Sequence, residues 1–212
     1  ILQVGHVERF NAAIVRLQEI VKQPAFIEVH RLGPYDPRVQ DIGVVLDLMI
    51  HDLDIILDIV QSPVRSIDAV GVAILSDKED IANARIHFQN GCIANLTASR
   101  ITPKKTRKIR FFQQDAYISI DYIKPAMEIY RKQPVANPPP GYPPFEIVRK
   151  RERLKWQEPL KAEMEHFLEC IAKGVSPQIP GEKARDALEL AVEISEIIKR
   201  DSQTRFQSGV VQ

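Results

Sequence analysis

The sequence predicts an α+β fold: an open, largely antiparallel β-sheet with helices on one face. Three observations carry this. The middle of the chain is a succession of short runs rich in β-branched and aromatic residues, separated by turn residues. One segment before them, residues 43–60, is aliphatic on nearly every side at helical period. Two amphipathic helical segments then close the chain, and strands followed by helices give segregated layers rather than a βαβ alternation.

The elements follow in order. "ILQVGHV" reads as a short strand, after which Asn11 caps a helix, "AAIVRLQEIVK", that Pro24 ends. "FIEVHRL" is a strand by its alternation, and "GPYDPRVQDIG" is a loop leading into the apolar helix "GVVLDLMIHDLDIILDIV", which "QSPVRS" closes. Six strands come next: "SIDAVGVAIL", "IANARIHF", "CIANLTASR", "KIRFFQQ", "AYISIDY" and "PAMEIYR". Asn90-Gly91 between two alternating runs favours a type I′ hairpin. Residues 134–144, "PVANPPPGYPP", are expected to form an extended excursion. The closing helices are "EPLKAEMEHFLECIAK", stopped by Gly174, and "GEKARDALELAVEISEIIKR".

The apolar helix poses the functional question, because it carries Asp47, His51, Asp52, Asp54 and Asp58, and burying unpaired charge is costly. At about 100° per residue, positions 47, 51, 54 and 58 fall within a wedge of roughly 60° and stack along one ridge. Only Asp52 interrupts the apolar remainder. The helix is therefore expected to lie inside the domain with one polar edge on a cleft. Its acids exclude membrane insertion. In the strand region "AVGVAIL" offers Val70, Val72 and Ile74 to one face and Ala69 and Ala73 to the other. One face packs on helices; the second, read as small and apolar, calls for a second subunit, giving a homodimer or homotetramer through the sheet.

The 212 residues fit one large domain, or one plus part of another, and a net charge of +1 gives no general attraction for nucleic acid or membrane. The two cysteines, Cys92 and Cys170, make no disulfide framework and point to a reducing cytoplasm. The chain begins at Ile1 in mid-pattern, with no signal segment, so a further upstream portion is expected.

Asp47 and His51 are the leading catalytic candidates. At i, i+4 a carboxylate beside an imidazole favours the protonated ring and orients it, which suits general acid/base work near neutral pH. The bland alternative is a core histidine satisfied by its neighbours. "HDLD" also suggests metal ligation in a phosphohydrolase. However, Asp52 points about 100° from His51 on a regular helix, so no metal site is expected there. Glu163, His166 and Cys170 share a helix face without a fourth ligand, as amphipathic helices often do. The basic clusters "TPKKTRKIR" and "RKRERLK" read as solvated strand ends and loop, or as a field for an anionic substrate such as a nucleotide sugar. No nucleic-acid reading motif accompanies them.

Taken together, "VGHVERFNAA", "DIGVVLDLMIHDLDIIL" and "EPLKAEMEHFLECIAKGVSPQIPGEKARDALEL" resemble consecutive landmarks of the Gfo/Idh/MocA oxidoreductases, across essentially the whole chain. "DIGVVLDLMIHDLD" followed by "TASRITPKKTRK" is most similar to the branch of that family acting on UDP-N-acetylglucosamine as 3-dehydrogenases. The resemblance implies that residues 1–23 are the last strand and helix of a Rossmann domain. It makes residues 24–212 a substrate-binding and oligomerisation domain. It further implies NAD or NADP as cofactor, held mainly by an upstream domain, with Arg38 approaching its nicotinamide end and Asp47 and His51 as the catalytic pair. Such a portion alone is expected to be inactive. The triple glycine common before the helix in that family is reduced here to Gly43. Two readings from other classes stand beside it, a non-catalytic oligomerisation module and a metal-dependent phosphohydrolase.

Overall fold

A computed structural model describes residues 1–39, 41–123, 126–155 and 157–207. Eight strands form one sheet in the order β2-β3-β4-β1-β5-β6-β7-β8. Strand β1 is Phe26–Leu32, β2 Val64–Val72, β3 Ile81–Phe88, β4 Ile93–Ser99, β5 Thr106–Gln113, β6 Ala116–Asp121, β7 Ala126–Pro134 and β8 Phe145–Arg153. All neighbours are antiparallel except β1 and β4. A parallel pair needs a long crossover, and α2 with the β2–β3 hairpin supplies it.

Helix α1 is Ala12–Ile20, α2 Ile50–Val60, α3 Pro159–Lys173 and α4 Gly181–Gln207. Asn11 caps α1 by accepting from the Ala13 amide, and Gly174, at φ 66°, terminates α3. The core lies against the inner sheet face. It joins Ile14 and Leu17 of α1, Leu53 and Ile56 of α2, and Ile194 and Ile198 of α4 to Ile27, Val29, Leu96, Ile109, Phe111, Ile118 and Met127. Among the described residues no helix is long and apolar enough to cross a membrane.

Several expectations need correction. Residues 1–6 form no strand. Val4 donates to the Ile179 carbonyl, but no extended neighbour lies beside it to continue a ladder. The 88–92 connection is a hairpin, though not type I′: Gly91 alone has positive φ, at 88°, and its amide closes a tight turn onto Phe88. Asn90 does not take the positive φ that a type I′ turn needs, and its side chain accepts from the Cys92 amide. The proline-rich stretch is the connection of a β7–β8 hairpin, pinned by Val135 donating to Pro144. Finally, the sheet's outer face is not small and apolar. Phe26, Phe112, Tyr117 and Tyr130 stack across four neighbouring strands with ring centroids 4.9–5.6 Å apart, and Arg149 lies over Tyr130. Ion pairs Glu28–Arg110 (2.5 Å) and Glu128–Arg149 (2.6 Å) flank that ladder.

Candidate active site

The apolar segment does not enter the core as one regular helix. Val45–Met49 is a π-helical turn, and α2 continues from Ile50. Such a turn adds a residue locally and re-aims the side chains around it, a device common at functional sites. Its entrance is tight. The Val44 amide donates to the Glu79 carbonyl and the Val45 amide to the Glu79 carboxylate. A Cβ on Gly43 would lie 2.0 Å from Glu79 Oε1, which accounts for the glycine retained there.

The polar ridge divides into three parts. At its far end Asp54 and Asp58 are structural: Arg9, itself fully buried, reaches Asp58 at 2.6 Å and Asp54 at 3.7 Å. Gln18 and Lys183 also bind Asp58. In the middle, His51 lines a cavity of about 400 Å³ together with Glu8, Asn11, Arg31, Arg107, Tyr122 and Gln157. At the near end, Asp47 is half-buried in the π-turn, in the field of Arg100, Asp36 and Arg31. No hydrogen bond or ion pair joins Asp47 to His51, so the expected carboxylate–imidazole pair is not formed in this state.

The protonation of His51 also runs opposite to expectation. Burial, then the nearby Arg31 charge and the His6 ring, push the imidazole down to about 4. Neutral imidazole is therefore the ground state at neutral pH. His51 Nδ1 is buried without a hydrogen-bond partner, and the residue lines the cavity. His6 stands edge-on to the ring at 5.8 Å between centroids.

Asp52, the odd residue of the helical projection, has a partner that sequence spacing does not reveal. Arg31 of β1 grips it with two hydrogen bonds, 2.6 and 2.9 Å, and the side chains are only 3% and 1% exposed. Asp52 is thereby occupied, which removes it as a ligand beside His51. Arg31 also lies 3.6 Å from Glu8, and Glu8 in turn binds Arg107 at 3.2 Å and accepts from Asn11. The Tyr122 hydroxyl is buried at this cluster, and burial together with the Asp52 charge pushes its phenol well up. Of the basic cluster 102–110, Arg107 alone lines the cavity, whereas Arg110 belongs to the outer sheet face.

Arg38 stands on a 3₁₀ turn, Pro37–Val39, and is 87% exposed with its guanidinium on Asp36 at 2.6 Å. His166 and Cys170 lie apart from the cavity. The His166 ring accepts from the Gln178 amide at 3.0 Å, which makes it a brace for the turn between α3 and α4. Nothing in the sequence pairs Glu8, Arg31 and Arg107 with His51; an isolated charge in an alternating strand is the only trace.

A family model described as the GFO/IDH/MocA C-terminal domain matches residues 24–119. The chain is 36% identical to the UDP-N-acetylglucosamine 3-dehydrogenase of Acidithiobacillus ferrooxidans over 195 residues, 92% of this chain and 61% of that protein. The solved structure of that organism's enzyme GnnA superposes with a TM-score of 0.85 at 36% identity, covering 94% of this chain and 63% of the other. An aldose-aldose oxidoreductase from Caulobacter crescentus has the same fold, with a TM-score of 0.76 at 17% identity over 94% of this chain and 62% of that one. The chain thus spans about three fifths of the length of these relatives.

Proposed function

We propose that this chain, which belongs to the Gfo/Idh/MocA family through the C-terminal domain it carries, is the substrate side of an NAD(P)-dependent dehydrogenase acting on a nucleotide sugar. UDP-N-acetylglucosamine is the substrate we favour, on the strength of the relative named above. The observation that carries the chemistry is the His51 imidazole lining a cavity beside Glu8, Arg31 and Arg107, where burial favours its neutral form. Oxidising a ring carbinol requires the hydroxyl proton to leave as the C–H hydride departs, and a neutral ring nitrogen accepts that proton.

A nicotinamide dinucleotide supplies the hydride acceptor when bound. Arg38 fits it in charge, being an exposed guanidinium on the loop that enters the π-turn, with Asp36 as its counter-charge. The 212 residues contain no Gly-x-Gly-x-x-Gly turn, so they do not themselves provide the usual pyrophosphate cradle. Within the cavity Glu8 and Arg107 present an acceptor and a donor to sugar hydroxyls, and Arg31, locked on Asp52, gives a fixed positive wall. Once protonated, His51 sits beside that wall, which favours onward release of the proton. Asp47, in the π-turn one helical turn before His51, contributes a carboxylate at the mouth of the helix. Assembly through the aromatic outer sheet face completes the reading.

The test is turnover of UDP-N-acetylglucosamine with NAD⁺ or NADP⁺ by the protein as naturally encoded, compared with His51→Ala. A positioned base is worth about 10²- to 10⁴-fold in rate, so the variant should lose that much while melting near the parent. A destabilised variant with full turnover would remove His51 from the chemistry. Absence of turnover in the parent with any nucleotide sugar would remove the substrate class.

A further inference from the structure

We infer that Arg100 is a positioning residue: its guanidinium latches the 33–43 loop, and through it the placement of Arg38 and of Asp47 at the mouth of the helix. Arg100 follows β4 and is 2% exposed. Its Nη1 donates to two carbonyls of that loop, Val39 and Ile42, both at 2.7 Å. Nη2 donates to the Ser76 hydroxyl at 2.8 Å and Nε to Asp80 at 2.7 Å. The Tyr35 ring, from the start of the same loop, covers the guanidinium at 5.6 Å. A planar fork with donors on three sides is what allows one side chain to hold a loop at two points while fixed to another.

The anchor beneath is strong in its own right. Asp80 is fully buried and accepts from the Ile74, Leu75 and Ser76 amides and from the Ser76 hydroxyl. Removing Arg100 takes the counter-charge from Asp80 but leaves it these four hydrogen bonds, so the turn it organises keeps its own ties. Glu79, next in sequence, secures the exit of the loop at Val44 and Val45. The loop's middle, between Tyr35 and Ile42, depends on Arg100. Electrostatics point the same way. Burial raises the Asp47 carboxyl, and Arg100 is the foremost charge pulling it back toward ionisation, ahead of Asp36, which opposes, and Arg31, which assists.

The catalytic consequence rests on the oxidoreductase reading above; the latch does not. Amide exchange and carboxyl titration on the parent, Arg100→Gln, Arg100→Lys and Ser76→Ala separate the two. Arg100→Gln should speed exchange at Arg38, Val39 and residues 41–43 by about tenfold or more while α2 amides keep their protection, and should raise the Asp47 midpoint. Arg100→Lys, which keeps the charge, should loosen the loop yet leave that midpoint near the parent's. Ser76→Ala should leave the loop protected. Unchanged exchange in Arg100→Gln, or faster exchange spread evenly over the whole chain, overturns the latch. In the active protein Arg100→Gln should lower kcat/KM for the dinucleotide by about 10- to 100-fold, as small misplacements do, with the sugar KM little changed. A parent without turnover whose loop still loosens in Arg100→Gln retires the reaction and keeps the latch.

Discussion

Arg31 and Asp52 meet where water is excluded, and that sets how each responds to substitution. Two parallel hydrogen bonds hold the pair; burial is the largest influence against the Arg31 charge, and Asp52 with the smaller help of Tyr122 and Glu8 outweighs it. Asp52→Asn or Arg31→Met strands one charge and should cost about 3–5 kcal/mol of stability, whereas the double replacement by apolar residues should cost far less. Denaturant unfolding of the two single variants and the double variant reads this directly; additive losses would mean that the pair is not the unit. His51 belongs to the same neighbourhood and carries a pH signature. Its ring titrates near 4, below an unfolded value of about 6.5. The unfolded chain therefore binds the extra proton first. Stability due to this residue should be intact above pH 6.5 and fall as pH drops toward 4. An NMR titration of the His51 ring checks the midpoint, and His51→Phe should flatten that part of the stability profile. A ring titrating at or above 6.5 would mean that the imidazole is paired with a carboxylate after all. Asp47→Asn should then cost as much turnover as His51→Ala; with the two groups unbonded, it should cost less.

At the scale of the element, the apolar helix shows what periodicity can and cannot convey. Its burial and its polar ridge were legible because a 3.6-residue period survives in the composition of every turn from Ile50 onward. The π-turn at Val45–Met49 was not legible: an i→i+5 bond leaves no mark in side-chain pattern. The partners of the ridge were hidden for another reason. Arg9, Arg31 and Lys183 come from 125 or fewer residues away in sequence, through contacts that only the tertiary fold creates. Strand β8 was missed because it is exposed on both faces and rich in Lys and Arg, so no alternation survives. Such charge on an edge strand also discourages stray pairing. Gly43 gives the element its own test. A Cβ there meets the Glu79 carboxylate, the mobile end of a side chain that can swing away at the expense of its bond to Val45. Gly43→Ala should thus cost about 0.5–1.5 kcal/mol, the net worth of a hydrogen bond, and little more when Glu79→Ala is already present. Melting of both backgrounds decides it; an undiminished cost in the Glu79→Ala background would place the strain in the backbone instead.

At the scale of the molecule, sheet class and helix placement followed from the order of strand and helix patterns, but the chemistry of the outer face did not. Read strand by strand, that face promised small apolar residues; once register is fixed, Phe26, Phe112, Tyr117 and Tyr130 fall in line across neighbouring strands. Register is a property of pairs, and no single strand contains it. The resulting surface is a flat aromatic stripe bordered by Glu28–Arg110 and Glu128–Arg149. An apolar centre with a charged rim is the usual composition of a protein interface, and aromatic and arginine side chains are its frequent anchors. The chain should therefore be a dimer or larger at tens of micromolar by light scattering. Tyr117→Glu, at the middle of the stripe, should give monomers whose own melting temperature falls little, since the ring lies outside the helix-facing core. Phe111→Glu, one residue earlier than Phe112 and on the inner face, should instead unfold the domain. A parent that is already a monodisperse monomer, or a Tyr117→Glu variant that stays oligomeric, would show that copies of this chain do not meet through the stripe.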